Sequence, residues 1–416
     1  MMDRPLRFCM ITTFYPPYNF GGDGIFVHQL SNALAKLGHQ VDVIHCIDAY
    51  RLLVRQEPTN SYNDHPNVTV HGLKSQFGFL SPLATQQTGF PFFKSAQIRQ
   101  VLEKGFDVIH YHNISLVGGP KILEYGEGIK LYTMHEYWLV CPTHLLFRFN
   151  RAPCIKPHCF TCTLTYKRPP QLWRYLGMLK TSVKHVDAFI APSSFVKSIH
   201  LQRGLNIPIV YLPNFVDLGD LTSPKSDQTV ETPPMEPYYL FVGRLEKLKG
   251  LQTLIPIFHN YHKARLLIAG TGSYEPTLRH LAEGNNNVRF LGHLSHHELK
   301  PYYQKAIAVI VPSICFEVFG QVIIEAFSQQ TPTIVSNIGG MTGIIKDSGG
   351  GVVYDNDEQL LAAMDSLLAD PSYRRELGLR GYNTYQQSWT PEAHLERYFA
   401  LICEIAANCG KTKELA

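Results

Sequence analysis

Residues 308–326 read AVIVPSICFEVFGQVIIEA, and the reading of this stretch decides the fold. Ala308–Val311 is an apolar run of buried-strand length, and a loop opens at Pro312. Past Gly320, the adjacent apolar residues Val322, Ile323 and Ile324 predict a helix packed on a sheet. A strand that passes into a helix through a glycine-bearing loop is one β/α unit of a parallel sheet.

The same alternation extends outward from this unit. In the second half of the chain Tyr239–Val242, Arg265–Ala269, Val288–Leu291, Thr333–Ser336 and Val352–Tyr354 read as strands. The first half repeats the pattern with Phe8–Thr13, Val41–Cys46, Val108–His112, Leu131–His135, Ala188–Ala191 and Ile209–Leu212. After Gly24, Val27, Leu30, Leu34 and Leu37 share one helical face, and Gly38 is a helix stop. The expected architecture is therefore α/β, with two Rossmann-like doubly wound domains facing across a cleft. A length of 416 residues agrees, because a single core stops growing at roughly 250–300. The expected division is a first domain over 1–215, a Pro-rich polar linker over 216–237 and a second domain over 238–388. A C-terminal helix within 389–416 carries Leu395, Tyr398, Phe399, Ile402 and Ile405 on one face and is expected to pack back across the domains.

Composition narrows the class. Hydrophobic content of 45% with 17% charged residues excludes a disordered chain. No apolar run approaches the roughly 18–20 residues that span a bilayer, and Phe8–Thr13 is too short for the core of a signal peptide. Nine cysteines, an odd number with no export signal, favour reduced thiols and a cytoplasmic chain. Net charge is only +4, but its distribution is uneven. Residues 137–186 contain Arg148, Arg151, Lys156, Lys167, Arg168, Arg174, Lys180 and Lys184 and no acid, so they carry +8 and the remainder −4. Interleaved aromatics, among them Trp138, Phe160, Trp173 and Tyr175, make this insertion suited to an anionic surface. A phosphate-bearing or lipid-linked acceptor and the inner face of an anionic membrane are the candidates; a solvated basic face over a small aromatic core is the structural alternative. Nucleic acid is not an expected partner.

Ligands of open α/β sheets bind beyond the carboxyl ends of the strands, and the candidate chemistry lies there. Gly243-Arg244 follows the strand Tyr239–Val242, with Lys249 five residues on, in a segment expected to open a helix. A glycine admits a phosphate to backbone amides, Arg244 can grip it bidentately and Lys249 adds a mobile charge. Glu317 and Glu325 straddle Gly320, so amides at the helix start can hold phosphate while the two carboxylates accept hydroxyls from different parts of one ligand. Paired carboxylates also suit general acid and base work.

PSICFEVFGQVIIEA, together with FVGRLEKLKG, IAGTGSYEP and SNIGG, closely resembles the donor-binding half of family 4 retaining glycosyltransferases of GT-B fold. FYPPYNFGGDGIFVHQLSNALAKLGHQVDVI, YTMHEYWLVCP and APSSFVKSIHLQRG match the same family's first half, in order, over nearly the whole chain. The resemblance implies a retaining hexosyltransferase that takes a UDP- or GDP-linked sugar in the second domain and an acceptor saccharide, lipid-linked sugar or small molecule in the first. Gly21 and Gly22 would form the loop near donor phosphate and acceptor, and Gly243, Arg244 and Lys249 would hold the diphosphate. Glu317 would grip the sugar, Phe319 and Gly320 would supply amides, and Glu325 would bind ribose. His135 would face the acceptor, with His112 and Glu136 lining its side. Catalysis would rest on His135, Arg244, Lys249 and Glu317, with the departing phosphate oxygen taking the acceptor proton. Relatives of this type lack an Asp-x-Asp metal motif, so no catalytic metal is implied. Thr342-Gly343 stands where relatives carry a glutamate, which removes one expected donor contact.

Cys141, Cys154, Cys159 and Cys162 cluster inside the basic insertion, with His144 and His158 as possible substitutes. A structural zinc, disulfides and plain buried thiols are the three readings of that cluster. Two rivals to a transferase are a sugar-nucleotide epimerase and a non-catalytic nucleotide-sugar-binding subunit.

Overall fold

The computed structural model describes residues 4–19, 21–54, 56–58, 61–217 and 233–408. The first half contains β1 (Arg7–Ile11), β2 (Gln40–Cys46), β3 (Val68–Leu73), β4 (Val108–Tyr111) and β5 (Ile129–Thr133). A two-residue hairpin, β6 (Phe147–Arg148) and β7 (Ala152–Pro153), precedes β8 (Ala188–Ala191) and β9 (Ile209–Tyr211). The second half contains β10 (Tyr238–Val242), β11 (Arg265–Ala269), β12 (Val288–Gly292), β13 (Val309–Val311), β14 (Thr333–Ser336) and β15 (Gly351–Tyr354).

The two large sheets run β3-β2-β1-β4-β5-β8-β9 and β12-β11-β10-β13-β14-β15, and every pairing in them is parallel. Strand order reverses between β1 and β4 in the first sheet and between β10 and β13 in the second. Those switch points are where a doubly wound sheet opens a crevice for ligands. The central strands are buried on both faces, which explains their unbroken apolar runs. Phe8 and Met10 enter one core cluster and Cys9 and Ile11 the other; Tyr238 and Leu240 likewise part from Tyr239 and Phe241.

The helix Pro391–Asn408 places Leu395, Tyr398, Ile402 and Ile405 in the cluster of Phe8 and Met10, so its stripe covers the first sheet although the chain enters it from the second half. Most of the expected linker, residues 218–232, lies outside the described residues, as do 409–416. The strand Val68–Leu73 and the β6–β7 hairpin carry no sequence expectation. In β3, an edge strand, only Leu73 is fully buried, so its apolar signal is weak. Among the described residues, no helix is long and apolar enough to cross a membrane.

Candidate active site

Beyond β10 the chain does not enter a helix directly, contrary to expectation. Lys247–Lys249 forms one 3-10 turn, and a four-residue helix, Leu251–Leu254, follows Gly250. Gly250 has φ +78°, and a Cβ there would stand 1.7 Å from the Pro312 carbonyl oxygen, so only glycine permits this approach. The contact presses the loop after β10 onto the loop after β13, where Ile314 N donates to Leu248 O at 3.0 Å.

That approach brings Lys249 Nζ to Glu317 Oε1 at 2.7 Å, and the Ser313 hydroxyl donates to the same oxygen at 2.7 Å. Burial pushes the Glu317 carboxyl upward. The charge and hydrogen bond of Lys249, the Ser313 hydroxyl and the charge of Arg244 outweigh it and hold the group below its ordinary range. Glu317 is therefore an anion at neutral pH, with two cations beside it. Arg244 itself is exposed.

Phe319 is buried in the second-domain core, which leaves only its backbone for a ligand. Gly320 precedes the helix Gln321–Ser328. Glu325, one turn along that helix from Gln321, accepts from the Tyr303 hydroxyl at 2.7 Å. It does not join the Glu317 cluster, so the two carboxylates serve different positions.

Across the cleft, Gly22 opens the helix Gly22–Lys36, and a Cβ on it would meet Gln321 Oε1 at 2.5 Å. The first-domain glycine loop thus abuts the start of the second-domain helix. Three more contacts join the halves around Glu317. Tyr137 Oη donates to Glu317 O at 3.3 Å, Ser193 Oγ donates to Val318 O at 2.6 Å, and the Phe195 and Phe316 rings lie 5.0 Å apart. Sequence reasoning does not single out Ser193, Tyr137, Gln321, Ser313 or Tyr303 as site residues. The first four lie within stretches that carry the family resemblance, but nothing there announces a contact with the opposite domain.

His135 lies two residues beyond β5 and stacks against His112, their Nε2 and Nδ1 atoms 3.0 Å apart. Burial lowers the His135 imidazole to about 4, and Asp23 opposes the shift. His112, expected to line the cleft, is 1% exposed and stands behind His135 instead. His110 lies on the same face as His112, their rings 4.0 Å apart, and is bonded to Tyr398 Oη at 2.9 Å and Thr133 Oγ1 at 2.7 Å. Glu136 pairs with His144 Nδ1 at 2.8 Å, which ties it to the basic insertion.

Cys141, Cys154, Cys159 and Cys162 line one hollow of about 10 Å³ with His158. All four are free thiols, so the disulfide reading fails. Among the described residues, no three His, Cys, Asp or Glu side chains form a group able to hold a metal ion. The thiols therefore share a hollow without forming a zinc site. An Asp-x-Asp triplet is nevertheless present in this chain: Asp355-Asn356-Asp357 follows the edge strand β15, where Asn356 caps the next helix and Asp355 accepts from Asn337 at 2.8 Å. Its local role is capping.

Residues 20–220 match the family Glycosyltransferase Family 4, and residues 223–384 match Glycosyl transferases group 1. A D-inositol 3-phosphate glycosyltransferase of Xylanimonas cellulosilytica is 32% identical over 86% of this chain and 85% of its own. The chain belongs to glycosyltransferase family 4. Its GT-B fold is shared with sucrose-phosphate synthase of Thermosynechococcus elongatus, at TM-score 0.72 and 21% identity over 97% of this chain and 100% of that one. It is shared also with Anabaena HepE solved in complex with UDP-glucose, at TM-score 0.62 and 14% identity over 97% and 100%. The protein is therefore a family 4 glycosyltransferase of GT-B fold. Its paired β10 and β13 loops bring Lys249 onto Glu317, within reach of the charge of Arg244.

Proposed function

We propose that this family 4 enzyme transfers a hexose, with retention, from a nucleoside diphosphate sugar to a saccharide or lipid-linked acceptor. The observation that carries the reading is the ion pair of Lys249 with Glu317, whose carboxyl also feels the charge of Arg244, together with the Gly22–Gln321 contact. Two cations are suited to a departing diphosphate, and the anionic Glu317 to sugar hydroxyls. When the bond from the anomeric carbon to phosphate breaks, Arg244 and Lys249 neutralise the growing negative charge. The acceptor oxygen bonds to the same face of that carbon, and its proton passes to the released phosphate oxygen. His135, neutral at pH 7 because burial holds it at about 4, orients groups by hydrogen bonding and contributes no positive charge. Contact between the halves excludes water that would otherwise hydrolyse the donor.

Glu325 is assigned to the ribose, Gly21, Gly22, Gly243 and Gly320 to phosphate approach, and Glu136 to the acceptor side. UDP is the first nucleotide to try, since a structural neighbour is solved with UDP-glucose. Thermal unfolding with UDP, GDP and ADP in turn decides the nucleotide. One of them at a hundred times its Kd stabilises the fold by about 2.7 kcal/mol and raises the midpoint; no rise with any of the three at millimolar concentration counts against donor binding.

A further inference from the structure

The insertion 137–186 exposes side chains that the transfer site does not use. Ile155 is 80% exposed, Leu172 63% and Leu176 81%, with Phe160, Leu164 and Tyr175 also exposed. Scattered apolar residues on a surface are ordinary, but six large ones within 155–176 are not. Leu172, Tyr175 and Leu176 are local neighbours, on and just after the 3-10 turn Leu172–Arg174, and Phe160 and Leu164 lie one turn apart on the helix Cys159–Thr165. Trp173 Nε1 donates to Gln86 O at 2.9 Å, which seats the same strip against the helix Leu80–Thr88. Phe79 and Leu80, at the start of that helix, are exposed as well.

The charges of the insertion itself all have one sign, although Glu124 and Glu136 from neighbouring segments reach its Ser182 and His144. Arg151, Lys156, Lys167 and Lys180 are exposed, and residues 137–186 contain no Asp or Glu to pair with them. An apolar face alone would suit a second copy of the chain equally well. The unbalanced cations select an occupant that presents both hydrocarbon and anions, as the boundary between lipid headgroups and acyl chains does.

We propose that this face docks the enzyme on an anionic lipid bilayer. The cleft would then open close to the lipid surface. The insertion begins immediately after His135 and Glu136, is tied back to Glu136 by His144, and reaches across to the donor loop, where Lys247 Nζ donates to Asn150 O at 3.3 Å. The inference deepens the lipid-linked branch of the proposed function and rests on it for its purpose, but vesicle binding requires no sugar.

The test is co-sedimentation of the full chain with vesicles of phosphatidylglycerol and phosphatidylcholine, against vesicles of phosphatidylcholine alone. Binding to the anionic vesicles at low salt, released by high salt and weak on neutral vesicles, is the expected result. Leu172→Glu with Leu176→Glu lowers the partition at least about tenfold, and Lys156→Glu with Lys167→Glu does the same. These positions are exposed, so both variants keep the wild-type unfolding midpoint and its rise with nucleoside diphosphate. A chain that stays in the supernatant with anionic vesicles at low salt overturns the proposal, as does undiminished binding by the variants. A lipid-free dimer that Leu176→Glu dissociates also overturns it, by giving the face to a second copy. Failure to bind vesicles with the diphosphate response intact removes only the membrane; loss of the diphosphate response removes the transferase reading and leaves the vesicle result standing.

Discussion

Replacing Arg244 with alanine lowers kcat/KM for sugar transfer by about 10²–10³-fold, the range seen when one preorganised stabiliser of transition-state charge is removed. The unfolding midpoint stays close to wild type, because Arg244 is exposed and exposed substitutions usually alter stability by no more than about 0.5 kcal/mol. Its charge nevertheless reaches the site, since it helps to depress the Glu317 carboxyl. Arg244→Lys recovers part of the loss, a point charge without the planar fork. Steady-state kinetics with the donor found by the nucleotide screen would check this. An Arg244→Ala enzyme within tenfold of wild type would remove Arg244 from diphosphate stabilisation.

Acid weakens the fold well before its carboxylates titrate. Burial lowers His45, His135, His200 and His394 to about 4 each, against an ordinary value of 6.5. His110 and His112 shift in the same direction for the same first reason. At pH 5.5 the unfolded chain has taken up protons that these buried rings refuse, so stability is full above about 6.5 and is lost as pH falls towards 4. Each of the four costs somewhat more than about 1 kcal/mol by pH 5.5, on the order of 5 kcal/mol together. Denaturant titrations at pH 7.5, 6.5 and 5.5 should show the midpoint falling across that interval; a midpoint independent of pH would mean that these histidines are hydrated.

Three of the four histidines at about 4 are illegible in the sequence, because nothing in their neighbours distinguishes a buried imidazole from a surface one. His135 is recognisable only through a family motif. The sheets are far more legible. Strands buried on both faces, such as Tyr238–Val242 and Val309–Val311, appear as continuous apolar runs, whereas the edge strand Val68–Leu73, with its mixed burial, does not. Charged site residues are legible where a strand ends, which singles out Arg244, Lys249 and Glu317. The partners are hidden: Ser313 meets Glu317 through the turn of their shared loop, and Tyr303 meets Glu325 only when the helix His296–Lys305 packs beside Gln321–Ser328. The basic insertion is hardest. His144, Leu146, Phe149, Asn150 and Lys167 all take left-handed backbone there without being glycine, so its turns carry no glycine signal. Its cysteine spacing suggests a metal, and the side chains do not assemble a site for one.

A crystal structure of the enzyme with its nucleoside diphosphate bound examines the whole arrangement at once. The expected complex has diphosphate oxygens within hydrogen-bonding reach of Arg244 and Lys249, and the ribose hydroxyls on Glu325. A diphosphate seated away from both cations, or a ribose remote from Glu325, would contradict the account.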